Sequence, residues 1–158
     1  LDTLSLEATA PQPQHLDVQR ELEMILLPYQ ATLTPQDQRS ITLIGNDTLS
    51  MMTLDPALLR QIIHNLLKNS LEAIGSQGTI IVRSEQLDRT LHIHVEDDGP
   101  GIDAATLPSI FAPGTTTKPG KNRGLGLSIT ASLAEQMRGK LSCLSQPGKT
   151  VFTLSLPA

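Results

Sequence analysis

Tryptophan is absent from this chain, tyrosine occurs once and phenylalanine twice. The core must therefore be aliphatic, and there is no aromatic ladder on which the bases of a single strand could stack. No basic run occurs either, and the net charge is −4, which argues against any nucleic-acid partner. The lone cysteine, Cys143, cannot form an internal disulfide, which fits a reducing compartment. Within the alternating run Lys140-Leu141-Ser142-Cys143-Leu144 it reads as a small apolar strand residue. No apolar run approaches the ~20 residues that span a bilayer, and no secretory leader opens the chain. The expectation is a soluble, cytoplasmic unit. Since it starts at Leu1 rather than at Met, it reads as cut from a longer parent, whose missing part has room for an inner-membrane anchor.

What is present suffices for one domain: 158 residues, of which 39% are hydrophobic, support a single good core but not two. Ala10-Pro11-Gln12-Pro13-Gln14 breaks any helix and reads as a linker. Leu16, Val18, Leu22, Ile25, Leu26 and Tyr29 mark an amphipathic helix, with Asp17 as cap and Pro28 ending or bending it. Ser40 to Ile44 alternates as a strand, Gly45-Asn46-Asp47 turns the chain, and Leu49 to Leu54 returns as a second strand. Asp55-Pro56 then opens a central helix as cap and first helical residue, running to about Ile74 before Gly75. Thr79 to Ser84 and Thr90 to Asp97 read as a hairpin, a long irregular region follows to Arg123, and Leu125 to Met137 is again helical. Lys140 to Ser145 and Thr150 to Leu156 close the chain as a hairpin around Pro147-Gly148-Lys149. Antiparallel pairs with helices on one face predict an α+β two-layer sandwich.

The chemistry gathers at three places. On the central helix Asn65, Asn69 and Glu72 stand at i, i+4 and i+7 beside the apolar stripe Leu59, Ile62, Ile63, Leu66, Leu67, either the wall of a pocket or a solvated edge. Asp97-Asp98-Gly99-Pro100-Gly101-Ile102 follows a strand directly. Its glycines let a flat ligand approach the backbone, and a carboxylate there accepts from the exocyclic amine of adenine but meets the carbonyl of guanine as acceptor against acceptor. A calcium loop fails on spacing. Gly120-Lys121-Asn122-Arg123-Gly124-Leu125-Gly126-Leu127 opens a helix, where backbone N–H groups bind phosphate. It is neither a dinucleotide fingerprint nor a Walker A loop, and Gly148-Lys149-Thr150 precedes a strand and reads as a hairpin turn. Thr115, Thr116, Thr117, Lys118, Lys121 and Arg123 supply hydroxyls and cations suited to polyphosphate. His92 and His94 share one strand face, either solvated or metal-binding, with no third ligand suitably spaced.

In this order the segments resemble the histidine-kinase branch of the ATP-binding superfamily that also holds DNA gyrase, the Hsp90 chaperones and the MutL repair proteins. His64-Asn65-Leu66-Leu67-Lys68-Asn69 is similar to its N box, Asp97-Asp98-Gly99-Pro100-Gly101 to its G1 box, Ile110-Phe111-Ala112-Pro113 with Thr116-Thr117-Lys118 to its F box, and Gly124-Leu125-Gly126-Leu127 to its G2 box. The resemblance covers about Ile41 to Leu156, and the helix from Leu16 fits as well. It departs from the family at Gly114-Thr115, where a second aromatic is common, and at Asn122-Arg123, where the G2 box commonly begins with glycine.

The resemblance implies a Bergerat-type sandwich, a mixed and mostly antiparallel sheet covered on one face by about three helices. Residues 16–158 would be the catalytic ATP-binding domain, and residues 1–15 a linker from an upstream dimerisation and phosphoacceptor domain. The implied cofactors are ATP and Mg²⁺. Asn69 would bind the metal, Asn65 would neighbour phosphate or metal, Asp97 would take the adenine amine, and Gly99, Gly101 and Ile102 would border the base. Thr116, Thr117, Lys118 and Arg123 would meet the phosphates from a lid, with Gly124, Leu125, Gly126 and Leu127 forming the amide-bearing stretch. Asn65 and Lys118 would serve the transfer itself.

The implied activity is transfer of the γ-phosphate to a histidine on the separate domain, in a homodimeric parent that works with a response regulator receiver domain, this chain alone being monomeric. None of the four histidines carries the acceptor motif of His followed by an acidic residue. Gyrase-like and Hsp90-like relatives place a Glu four residues before the metal-binding Asn, where this chain has Asn65. The alternatives are a conformational-clamp ATPase and an anti-sigma-like regulatory domain of the same superfamily.

Overall fold

The computed structural model describes residues 12–45, 51–112 and 123–157, the side chains of 123–125 excepted. Strand β1 (Gln14–Asp17) leads into helix α1 (Val18–Ala31), where the Asp17 carboxylate caps the first turn by accepting from the Arg20 N–H at 3.2 Å. The helix runs past Pro28 to Ala31 and buries Val18, Leu22, Ile25 and Leu26. Gln14 and His15, read from the sequence as part of a linker, pair with Leu54 and Thr53.

Strand β2 (Gln38–Ile44) and strand β3 (Met51–Leu54) follow. They form where alternation places them, but β3 does not pair back onto β2. It pairs antiparallel with β1 in a small separate sheet, while β2 runs parallel to strand β4 (Gln77–Leu87). A parallel pair needs a long crossover, and helix α2 (Pro56–Ile74) supplies it. Asp55 caps α2 by accepting from Ala57 N–H at 2.8 Å and Leu58 N–H at 3.2 Å, and it also accepts from Gln12 N–H at 2.7 Å. Gly75, at φ 65°, ends the helix.

Strand β5 (Thr90–Asp97) folds back antiparallel on β4 through Asp88 and Arg89, both at positive φ, the twist a two-residue hairpin requires. After the 3₁₀ turn Leu107–Ser109 comes helix α3 (Arg123–Gln136), then strands β6 (Lys140–Gln146) and β7 (Lys149–Pro157), joined at Pro147-Gly148 as expected. Gly139 lets the chain leave α3: a Cβ there would stand 2.6 Å from the Ser155 carbonyl.

Among the described residues the main sheet has the order β2-β4-β5-β7-β6, with only β2 and β4 parallel. Leu91, Ile93, Val95 and Asp97 are buried on one face of β5, and the residues between them are half-buried. The three helices lie on that covered face, so the architecture is the expected two-layer sandwich, mixed and mostly antiparallel. The core is aliphatic: Leu22, Leu59, Ile62, Ile63, Leu66, Ile80, Val82 and Leu154 are fully buried, with Phe152 the one large aromatic among them. None of the described helices is long and apolar enough to cross a membrane.

Candidate functional site

Successive turns along the polar row of α2 meet different neighbours. Asn65 is half-buried, and its Nδ2 donates to Thr130 Oγ1 on α3 at 3.1 Å. The Thr130 hydroxyl, fully buried, in turn donates to the Gly126 carbonyl at 2.5 Å. One turn further along α2, Asn69 is 7% exposed and belongs to the buried side of the helix, whereas Glu72 is exposed. Another turn on, the Ala73 carbonyl borders Gly99. With a rise of about 1.5 Å per residue, one helix thus spaces the start of α3, Asn69 and the turn after β5 along a single line. Neither Asn65 nor Asn69 lies on a solvated edge, Asn65 being half-buried and Asn69 buried.

At the far end Asp97 closes β5, between Ile80 on β4 and Thr150 on β7. It is 2% exposed, and burying a carboxylate is costly unless hydrogen bonds compensate. The Gly99 N–H supplies one, donating to Asp97 Oδ1 at 3.0 Å. A Cβ on Gly99 would stand 3.0 Å from both that oxygen and the Ala73 carbonyl, so the surface beside the carboxylate is bare backbone. Gly101, at φ 91°, passes so close to β6 that a Cβ would lie 2.6 Å from the Gln146 carbonyl. Ile102 N–H donates to Ser145 Oγ at 2.8 Å, and Ser145 Oγ meets Thr150 Oγ1 at 2.8 Å. Asp98 points elsewhere, accepting from Thr79 N–H at 2.9 Å.

Cys143 lies on the same part of the sheet. Burial, reinforced by the negative charge of Asp97, pushes its thiol up to about 12. At that value it is a weak nucleophile at neutral pH, in keeping with a structural strand residue.

Gly126 sits in the first turns of α3 with, apart from its own stretch of helix, no described atom within 4 Å of where a Cβ would stand, while Leu127 is buried in the core and Ile102 packs against that core. Thr116, Thr117 and Lys118 lie outside the described residues, as do the side chains of Arg123 and Leu125 and the segment that joins the F box to the G2 box. Of the expected site residues, the structure links Asn65 to Gly126 through Thr130 midway along α2, and gathers Asp97, Gly99, Gly101 and Ile102 near the C-terminal end of that helix, with Asn69 one turn after Asn65.

The donors fit a nucleotide with magnesium. The α2 row offers amide oxygen, a hard ligand, and Mg²⁺ shares its shell with phosphate oxygens and water rather than filling an all-protein cage. Among the described residues no group of three or more His, Cys, Asp and Glu is placed to hold a metal. His92 and His94 are instead tied to β7 hydroxyls: His92 Nδ1 lies 3.0 Å from Ser155 Oγ, His94 Nδ1 2.8 Å from Thr153 Oγ1, and His94 Nε2 2.9 Å from Glu85 Oε2. A groove between α1 and α2, lined by Met24, Ile25, Tyr29, Gln61 and His64, runs along a different flank of α2.

Sequence reasoning missed Thr130, Ser145 and Thr150. Thr130 follows Gly126 by one turn, which placed it on α3 without naming its partner. Thr150 was visible only as part of a hairpin turn, and nothing marked Ser145.

The family described as "Histidine kinase-, DNA gyrase B-, and HSP90-like ATPase" matches residues 54–158. The sensor histidine kinase ZraS of Escherichia coli (strain K12) is 37% identical over 150 residues, which are 92% of this chain and 32% of that protein. The sensor protein TorS of the same strain is 41% identical over 122 residues, 75% of this chain and 13% of that protein. The chain thus spans about a third or less of the length of these relatives. The catalytic domain of the histidine kinase ThkA superposes with a TM-score of 0.81 at 23% identity, covering 92% of this chain and 95% of that one. Full-length ShkA, solved in complex with AMPPNP, gives 0.79 at 22% identity, covering 98% of this chain and 33% of that one. Both likenesses speak to the fold.

Proposed function

Since the chain belongs to the family of histidine kinase-, DNA gyrase B- and HSP90-like ATPases, we propose that it binds Mg·ATP between α2, the turn after β5 and the start of α3, and that its parent passes the γ-phosphate to a histidine held outside this chain. The observation that carries the reading is the buried Asp97 carboxylate facing a wall of bare backbone at Gly99. An acceptor in that position selects the amine of adenine. Gly101 and Ile102 would border the base, with the Ile102 N–H held to β6 by the Ser145 hydroxyl.

Asn69 would hold the metal through its amide oxygen, and magnesium held there would supply positive charge against the phosphates. Gly124 and Gly126, with Leu125 and Leu127 between and after them, present backbone N–H groups at the start of α3, where the helix end favours anions. Thr116, Thr117, Lys118 and Arg123 would meet the phosphates, with Lys118 and Asn65 serving the transfer. Catalysis of this kind is mainly positioning and charge stabilisation.

Asn65 also bears on the fate of the phosphate. It stands four residues before Asn69, and an amide cannot take a proton from water as a general base does, so hydrolysis by this chain is slow. Among the described histidines, His64 is bonded to Tyr29, His92 and His94 to β7, and His15 lies beside Thr53. His64 is the one of these that stands on a long helix, and there it is engaged by Tyr29 of α1 and followed by Asn65 rather than by an acidic residue. The acceptor belongs to a dimerising domain upstream of residue 16, joined through residues 1–15. A response regulator then takes the phosphate, as suggested by ThkA solved in complex with the response regulator protein TrrA, which superposes with a TM-score of 0.81 at 20% identity over 99% of this chain and 45% of that one. The unit works on the cytoplasmic side.

The test is incubation with labelled ATP, alone and with the phosphoacceptor domain of its own parent. The lone chain should bind ATP without acquiring acid-labile phosphate or releasing more than a trace of free phosphate. The supplied domain should become labelled on histidine. Rapid phosphate release would turn the assignment toward the clamp ATPases, and binding without transfer toward a regulatory domain.

A further inference from the structure

The bond between α2 and α3 has a polarity that can be worked out. Thr130 has one hydroxyl proton, and it goes to the Gly126 carbonyl at 2.5 Å. Toward Asn65 the oxygen can then only accept, and Asn65 answers with Nδ2 at 3.1 Å. The two ends of an asparagine amide have nearly the same shape, and partners alone decide which way round it sits. Here Thr130 holds the NH₂ end against α3, leaving Oδ1 as the end that α3 does not hold.

Swapping the ends would bring Oδ1 against a hydroxyl oxygen whose proton is already committed, an acceptor facing an acceptor in a fully buried spot, where an unmade bond carries the full desolvation cost. The i to i−4 bond from Thr130 to Gly126 is by itself a common way for a helix to hide a hydroxyl. The additional bond from a second helix is not, and it connects the carbonyl of one site residue to the amide of another.

We propose that Thr130 is a positioning residue of the nucleotide site, orienting Asn65 so that it presents its carbonyl oxygen to a hydrated divalent cation rather than its amide hydrogens to a phosphate, and coupling that choice to the first turns of α3. This rests on the reading of Asn65 and Asn69 given above and deepens it: of the two neighbours open to Asn65, the metal side is selected.

Calorimetry with ATP in Mg²⁺ and with ATP in EDTA tests it on wild type, Thr130→Val and Thr130→Ser. Valine keeps the shape and removes the hydroxyl; serine keeps the hydroxyl. Thr130→Val should lose about five- to tenfold of the affinity gained from Mg²⁺, the worth of one hydrogen bond, with ATP binding in EDTA unchanged, and Thr130→Ser should retain the gain. In the nucleotide-free proteins the Asn65 side-chain NH₂ resonances should shift in the valine variant and stay put in the serine one. A wild-type Mg²⁺ gain in Thr130→Val overturns the proposal, as does an equal loss in both variants, or a loss of ATP binding in EDTA that matches the loss in Mg²⁺. Wild type that fails to bind ATP in either condition overturns the nucleotide site itself and this role with it.

Discussion

The two ends of the polar row on α2 are held by different means. Around Asp97 the geometry is made by backbone: two strand neighbours, a Gly99 N–H on the carboxylate, and Gly101 pressed against β6. Around Asn65 it is made by side chains, a chain of two hydrogen bonds through Thr130 between separate helices. A backbone cradle anchored in a sheet moves only if the sheet does. A helix-to-helix clasp can change by a rotamer. On the proposed reading the molecule thus pairs a rigid end, at which the base would sit, with an end on the phosphate side that a rotamer can rearrange.

Removing the group between the two ends should have the largest effect. Asn69→Ala is expected to abolish Mg²⁺-dependent transfer to a supplied phosphoacceptor domain while leaving metal-free nucleotide binding largely intact; full transfer in that variant would remove Asn69 from the metal. Asp97→Asn acts on the rigid end and should weaken ATP binding by about 1.5 to 3 kcal/mol, the range for a lost hydrogen bond to a charged group. The preference for ATP over GTP, measured by calorimetry, should shrink with it, and equal ATP and GTP affinity in the wild type would sink the adenine assignment.

Gly101→Ala tests the backbone cradle directly. A Cβ there meets the Gln146 carbonyl at 2.6 Å at a φ of 91°, and overpacking of this kind costs about 1 to 3 kcal/mol of stability. A denaturant midpoint equal to wild type would show that the cradle yields. Hydrogen exchange sharpens the contrast without a mutation: the Gly99 and Ile102 amides should be protected with or without nucleotide, whereas amides in the first turns of α3 should gain protection when ATP binds. Equal gains at both ends would erase the distinction.

The smallest effect concerns Cys143, beside the rigid end. Its folded value, about 12, stands above that of an exposed thiol. The neutral thiol is therefore favoured by folding, a contribution fully present below the unfolded value and lost as pH rises toward 12. Alkylation of the native protein at pH 8 should be far slower than in denaturant, and comparable rates would contradict the burial that raises the thiol.

Much of this was legible in the chain. Asp55-Pro56 and Gly75 bracket α2 because capping and chain reversal are local chemistry, satisfied within a few residues. Asn65 and Asn69 share a flank by helical period alone, and Gly99 and Gly101 announce a close approach because nothing but glycine fits one. The alternation of β5 put Leu91, Ile93 and Val95 inward whatever lay beside them.

Partnership was decided elsewhere. Alternation says which face of β2 and β3 is buried, but not that β3 pairs with β1 while β2 lies parallel to β4; that follows from where α2 crosses over. Thr130 meets Asn65 across 65 residues, and Ser145 meets Ile102 across 43. The elements from α1 onward and their buried faces could be read from the chain, since these depend on neighbours within a turn or two, whereas β1 could not, because it is a strand only through its pairing with β3. Which hydroxyl holds which amide was likewise beyond reach, because a hydrogen bond needs its partners within about 3 Å, and no local pattern carries that distance between remote parts of a chain.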